Sequence, residues 1–272
     1  MIETRHTFRS DPRLAAAAFG DRPGDWPLPA AATPAELWLR AVAAGGQGRY
    51  GSAYHDLAAL RRAAGRGALA SLAHSTLGSF LRQQGWHTLA RGWDGRALAL
   101  AGTDPAARAD ALIGLAADAL GVGRFAAAAA LLARADAEPG VRGAPDRVPV
   151  RRGWVAAELA MARGDGAGAV EHAQDAVRLA ANMAVPSARH RVKSQVVLAA
   201  ALCTAGDAER ARPVADAALR AAETLGLAPL RWALACLLID LESVTFSARE
   251  LHEIRDICAG QVRRAGGTWR SA

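Results

Sequence analysis

The sequence predicts an all-α protein built from about six pairs of antiparallel helices. Glycines recur every 37 to 42 residues, each between two apolar segments of helical periodicity. Small residues recur at fixed distances on both sides of these glycines, where the two helices of a pair must come close together. A repeated unit of this kind indicates one continuous stack of helices, although 272 residues would be long enough for two globular domains.

Five turn glycines and one serine define the stations of the repeat. They are Gly48, Gly85, Gly123, Gly164, Gly206 and Ser243. Five residues beyond each station lies an alanine: Ala53, Ala90, Ala128, Ala169, Ala211 and Ala248. Seven residues before each station lies a small residue: Ala41, Gly78, Ala116, Ala157, Ala199 and Cys236. We expect both sets to lie at the helix-pair interfaces, because only small side chains let two backbones approach closely.

The stretch Ala70–Pro105 shows this design most fully. Leu77-Gly78 is followed by the turn at Gly85, and then by Ala90 and Ala97 on the next helix. The pattern resembles the tetratricopeptide repeat (TPR) family over about residues 34–264. The resemblance implies a right-handed α-α superhelix whose concave groove binds a partner segment, and it carries no catalytic residue with it.

Two features depart from the family pattern. The strides are longer than the roughly 34 residues of a standard repeat. Asp94 stands where the family usually has an apolar residue, four positions after Ala90. Longer helices or longer connections than in a standard repeat are therefore expected.

Residues 1–33 do not fit the repeat and are predicted to form an irregular N-terminal segment. Asp11-Pro12 can start a short helix to Phe19, after which Pro23, Pro27 and Pro29 enforce extended backbone. The segment could cap the first repeat, or lie in the groove as an internal ligand; disorder is the third alternative.

The solenoid is predicted over 34–264, with a C-terminal tail at 265–272. Pro34 opens its first helix, and Thr103-Asp104-Pro105 separates the second and third repeats. Proline and glycine at 138–149 predict a loop or hinge. Ser247 and Glu250 form a capping-box pattern at the start of the last helix. The later helical regions are predicted at 150–182, 188–225, 230–241 and 248–264.

The net positive charge of the chain suggests nucleic-acid binding, but the composition of the chain weakens that interpretation. The net charge is +7, but among 33 basic residues only Lys193 is lysine. This skew, with abundant alanine and glycine, is typical of a GC-rich bacterial genome, and the arginines form no dense run. Nucleic-acid binding through arginine-rich faces is thus the third function considered.

Several functional classes have no motif here. No catalytic signature, phosphate loop or metal-ligand spacing occurs, so we expect neither an enzyme nor a cofactor or metal. Cys203, Cys236 and Cys258 lack a CxxC spacing and are expected to be free thiols in a reducing compartment. With no signal peptide and no apolar stretch long enough to cross a membrane, a cytoplasmic location is expected.

The first helix of each pair lines the groove in TPR-like stacks, and this places a mixed surface there. The expected groove residues are Trp38, Ser75, Ser79, Arg82, Gln83, Arg151, Trp154, Glu158 and Lys193. Three of them are cations, which suits a protein or peptide partner carrying carboxylates. In the alternative, these cations pair with Asp110 and Glu158.

The segment Trp86–Asp94 contains a second candidate. Trp86 and Trp93 lie seven apart, with Asp94 beside them, as in an interaction hot spot. A packed contact between repeats with a satisfied aspartate would look the same.

The function expected from the sequence is a protein-interaction scaffold; a regulatory sensor that binds a ligand or a transcription factor is the alternative. Partner identity and oligomeric state stay open.

Overall fold

The computed structural model describes residues 11–139 and 144–270, and within these ranges it contains thirteen α-helices and no strand. The prediction of an all-α fold is confirmed for them. Parts of the predicted N-terminal segment, the 138–149 loop and the tail lie outside the described residues. The helices are α1 (Pro12–Phe19), α2 (Pro34–Gly46), α3 (Tyr50–Ala63), α4 (Ala68–Gln83), α5 (His87–Leu100), α6 (Pro105–Gly121), α7 (Phe125–Asp136), α8 (Arg147–Ala162), α9 (Gly166–Ala181), α10 (Ala188–Thr204), α11 (Ala208–Thr224), α12 (Ala228–Asp240) and α13 (Ala248–Arg264).

Consecutive helices pack against each other along the whole described chain. Beyond these neighbours, α2, α4, α6, α8, α10 and α12 also contact one another in sequence, each touching the next even-numbered helix. We call these six the inner helices. The chain therefore forms a repeat-like stack in which one helix of each pair belongs to a continuous inner layer.

The turn glycines close the first five of these pairs as predicted. Each follows an inner helix and has a positive φ, from 74° at Gly123 to 87° at Gly85. This left-handed conformation favours glycine because it has no Cβ. The alanines five positions further on, from Ala53 to Ala211, are fully buried in every one of these pairs.

The predicted register is wrong in the α12–α13 pair. Glu242, with φ 52°, takes the place of the turn glycine, and the connection then continues to Ser247. Ala248 is exposed at the start of α13, and Leu251 fills the position expected for it. Cys258, seven residues beyond Leu251, is likewise buried. The misplacement arises because this turn has no glycine and is longer than the others.

The helix ends follow local capping rules. Asp11 accepts a hydrogen bond from the Arg13 amide and caps α1, as expected for Asp-Pro. The capping box predicted from Ser247 and Glu250 is present. Helix α8 begins at Arg147, so the predicted loop at 138–149 ends three residues early, with Pro149 inside the first helical turn where proline is tolerated.

The C-terminal segment folds back onto the first helix pairs. The Ala265 carbonyl accepts from the Gly51 amide at 2.7 Å, and the Arg270 amide donates to the Gln84 carbonyl at 2.9 Å. Trp269 stacks on Trp232 with ring centroids 4.3 Å apart. Up to Arg270 the tail is thus held against the first helix pairs by backbone bonds, and Trp269 packs back onto α12.

No helix of the described ranges is both long and apolar enough to cross a membrane.

Candidate functional site

Three arginines of the inner helices lie close together, and two of them contact one buried carboxylate. Arg147 and Arg151 lie one turn apart on α8, and Arg189 comes from the first turn of α10; we call them the arginine cluster. Arg151 forms an ion pair with Asp110 of α6, and Arg147 Nη1 lies 3.7 Å from the same oxygen. Ser75 Oγ donates to the other Asp110 oxygen at 3.2 Å.

The arginine cluster carries more positive charge than its surroundings neutralise. Among the described residues, Asp110 is the carboxylate paired with it, and none lies within ion-pair distance of Arg189. Arg189 instead donates from Nη1 to the Val42 carbonyl at 3.3 Å. Burial lowers the pKa of Arg189 to about 10, and repulsion from Arg151 and Arg147 contributes. Even so, Arg189 stays charged at neutral pH.

Two cavities meet at the arginine cluster and share the wall formed by Arg151, Arg189 and His190. The larger, about 260 Å³, is completed by Gly46, Gln83, Trp154, Lys193, Pro229, Leu230, Trp232 and Ala233. The smaller, about 70 Å³, is lined in addition by Phe19, Trp38, Val42, Ser75, Thr76, Ser79, Phe80, Asp110 and Arg147. Both therefore combine cationic groups with aromatic walls.

His190 contributes an uncharged aromatic surface. Burial and the neighbouring arginines lower its pKa well below the usual histidine value. Its Nδ1 is 2.8 Å from Ser187 Oγ, and its ring stacks on Trp154 with centroids 5.4 Å apart. The positive charge at this site is consequently that of the arginines and of Lys193.

Helix α1 lies on the inner face. Phe19 at its end packs against Trp38 of α2 at 5.2 Å and against His190 of α10 at 6.2 Å. The Ala188 amide donates to the Gly20 carbonyl at 3.0 Å, which fixes this end of α1 to α10. Helix α1 thus contacts two inner helices, α2 and α10, and both alternatives for the N-terminal segment, capping and occupation of the groove, stay predictions.

Most of the predicted groove residues surround the two cavities. Trp38, Ser75 and Ser79 line the smaller one, Gln83, Trp154 and Lys193 line the larger one, and Arg151 lines both. The structure also confirms the alternative of internal pairing. Arg151 pairs with Asp110, and Lys193 Nζ lies 3.3 Å from Glu158 Oε1 with both side chains about one-third exposed.

Arg82 and Glu158 line neither cavity, and the assignment of Arg82 as a groove cation is wrong. The Arg82 side chain is only 10% exposed and forms ion pairs with Asp94 and, at 3.0 Å, with Asp118. It also lies 3.3 Å from the Gly114 carbonyl oxygen. Positioned in the last turn of α4, Arg82 reaches between α5 and α6 and is unavailable to a partner.

The three residues of the predicted hot spot each make contacts within the protein. Trp86 Nε1 donates to the Thr268 carbonyl at 2.6 Å. Trp93 instead packs on His74, with the Arg61 guanidinium 4.8 Å above its ring. Asp94 is fully buried beside Arg82. These contacts match the packing alternative, while both tryptophans stay partly exposed and the hot spot stays a prediction.

Among the cavity residues that sequence reasoning missed are Arg147, Arg189 and Trp232. Arg147 and Arg189 lie four residues before the predicted Arg151 and Lys193, so helical periodicity could have placed them on the same face. Trp232 gave no such signal, because its position depends on how the last repeats fold back. Among residues 11–139 and 144–270, no group of three histidine, cysteine or carboxylate side chains could hold a metal ion.

Comparison with known proteins gives no further assignment: no protein-family model matches the chain, and no curated protein matches its sequence.

Proposed function

We propose that this protein is a non-catalytic, ligand-binding regulatory sensor built on a TPR-like scaffold. The scaffold is a right-handed superhelix of about six helix pairs, and the ligand occupies the larger cavity on its inner helices. The observation that carries this proposal is a cavity of about 260 Å³ walled by two tryptophans and bordered by an incompletely neutralised arginine cluster. Small-molecule sites commonly combine apolar walls with a few fixed polar groups in this way.

The polar groups of this site suit binding better than bond-breaking chemistry. Arginine holds a fixed charge and does not exchange protons at neutral pH. Within residues 11–139 and 144–270, the serine–histidine hydrogen bond is that of Ser187 with His190, and Ser187 is fully buried at the start of α10. It is therefore poorly placed to attack a substrate in the cavity.

The test is to purify the full chain from its native cytoplasm, unfold it, and analyse the released fraction by mass spectrometry. We expect a small molecule in near-stoichiometric amount, released only on unfolding. Protein free of any retained molecule, combined with a stoichiometric protein partner in the same preparation, would favour the scaffold function instead.

The scaffold is the second candidate, and helix α1 is the observation that favours it. Its apolar residues Leu14, Ala17 and Ala18 are buried against α2, so the inner face already accommodates one amphipathic helix. A partner helix or peptide with carboxylates would have to displace α1. Displacement is opposed by the high effective concentration of α1, which is tethered to the same chain. Deleting residues 1–33 should strengthen partner capture if this candidate is right, and leave it unchanged otherwise.

A further inference from the structure

The positive charge around Arg189 is incompletely neutralised, which favours binding of an anion. Asp110 is the described carboxylate within ion-pair distance of the arginine cluster, and it pairs with Arg147 and Arg151 but not with Arg189. Counted by ion pairs, the cluster therefore carries a formal excess of two positive charges (three minus one). A buried cation without a carboxylate partner is costly, because protein surroundings solvate charge less well than water does. A bound anion would remove that cost, whereas a neutral ligand would not.

Arg189 is held in a fitted position. A Cβ at Gly46, the last residue of α2, would lie 3.2 Å from Arg189 Cδ, tighter than an ordinary contact. The Val42 carbonyl, one turn earlier on α2, accepts from Arg189 Nη1. Glycine is a poor helix former, and here its absent side chain lets the arginine stem pass. The guanidinium is thereby fixed at the wall shared by both cavities.

The aromatic walls of the larger cavity are also fixed in advance. Trp154 Nε1 donates to Ser194 Oγ at 2.8 Å, and its ring stacks on His190. Trp232, on the inner helix α12, is held by its stack on Trp269. Flat apolar surfaces held in this way favour a flat apolar ligand, since little side-chain freedom is lost on binding.

From these features we infer that the larger cavity binds a small organic oxyanion, with its carboxylate or phosphate head at Arg189 and Arg151 and a flat apolar body against Trp154 and Trp232. This inference rests on the proposed ligand-binding function and names the chemistry of the ligand. Arginine binds both head groups through paired N–H donors. The excess of two positive charges favours a doubly charged phosphate monoester over a monocarboxylate.

Titration calorimetry of the full chain with matched probes tests the inference. The probes are 1-naphthyl phosphate, 1-naphthoate, 1-naphthylmethylamine and inorganic phosphate. We expect 1-naphthyl phosphate to bind most tightly, 1-naphthoate more weakly, and inorganic phosphate weakest of the three anions because it lacks the apolar body. The amine, a cation at neutral pH, should not bind. Equal binding of amine and phosphate ester, or no binding of either naphthyl anion, would overturn the assignment.

Two variants locate the site. Arg189→Met should weaken 1-naphthyl phosphate binding at least about tenfold, as expected for loss of a charge-assisted hydrogen bond. Gly46→Ala, which only crowds the stem of Arg189, should weaken it in the same direction. The control is Arg191→Met on the same helix, since Arg191 is exposed and should leave binding unchanged. Unchanged affinity in both Arg189→Met and Gly46→Ala would contradict the inference.

The results distinguish failure of the anionic-ligand inference from failure of the proposed ligand-binding function. If the molecule released from native protein is neutral or cationic, the ligand-binding function stands and the anionic assignment falls. If that molecule is an anion whose binding is lost in Arg189→Met, both are supported. If nothing is released and no naphthyl anion binds, both are wrong.

Discussion

At the scale of single residues, Asp94 shows how a charged side chain is accommodated in a helix-pair interface. It is fully buried next to Asp118, and Arg82 is the cation that pairs with both. A Cβ at Gly78 or at Gly114 would collide with the Asp94 carboxylate, so two glycines make the space for it. Two carboxylates and one guanidinium in a buried site favour a retained proton.

The retained proton predicts a pH dependence of stability. Burial raises the pKa of Asp94 from its ordinary value of 3.8 to about 8, with Asp118 adding to the effect against the attraction of Arg82. The folded state thus binds a proton that the unfolded state has released. Between about pH 4 and pH 8 the free energy of unfolding should therefore fall as pH rises, the reverse of what an aspartate with a lowered pKa would give.

Asp94→Asn mimics the protonated form and tests this. In this variant the free energy of unfolding should no longer fall as pH rises from about 4 to about 8. At pH 9 the variant should be more stable than wild type, by an amount on the order of a few kcal/mol. Chemical denaturation from pH 4 to pH 9 measures it. Asp175→Asn is the control, because Asp175 is exposed; a decline that persists in Asp94→Asn would assign the pH dependence to other groups.

At the scale of helix pairs, the repeat depends on small buried residues. Ala128 on α7 is fully buried, and the equivalent alanines of the other glycine-turn pairs are buried in the same way. Ala128→Leu should overpack the interface with α6 and lower the free energy of unfolding by about 1–3 kcal/mol. Ala130→Leu on the same helix is the control, since Ala130 is exposed. Equal melting temperatures for the two variants would contradict the assigned register.

The sequence predicts such pairs well wherever the deciding feature is local. Few residue types adopt the left-handed conformation of such a turn, so the glycines at 48, 85, 123, 164 and 206 predict where the turns lie. Glu242 adopts the same left-handed conformation although it is not a glycine. The turn before α13 therefore could not be located from the sequence, and the predicted register of α13 is wrong. Arg82 was misplaced for a related reason: its own helix does not show which neighbouring carboxylates, here Asp94 and Asp118, it will meet.

At the scale of the whole molecule, the last helix pair contacts the first ones. Val262 of α13 shares a core with Tyr50, Leu57 and Phe80, and the tail continues across α3 and α4. Periodicity does not contain this information, because it depends on the small rotation accumulated over successive repeats. The same accumulated geometry brings Trp232 to the larger cavity, which explains why that part of the candidate site was not predicted.

Trp269 tests whether this closure stabilises the molecule. It stacks on Trp232, and the backbone around it bonds to the first repeats through Thr268 and Arg270. Trp269→Ala should lower the free energy of unfolding by about 1–3 kcal/mol, since a half-buried indole is lost. Hydrogen exchange should also become faster at the amide of Gly51, which bonds to Ala265. Trp269→Phe keeps an aromatic stack and should retain most of the protection. Unchanged exchange at Gly51 in Trp269→Ala would show that the tail is held by its backbone bonds alone, and that closure does not depend on the tryptophan pair.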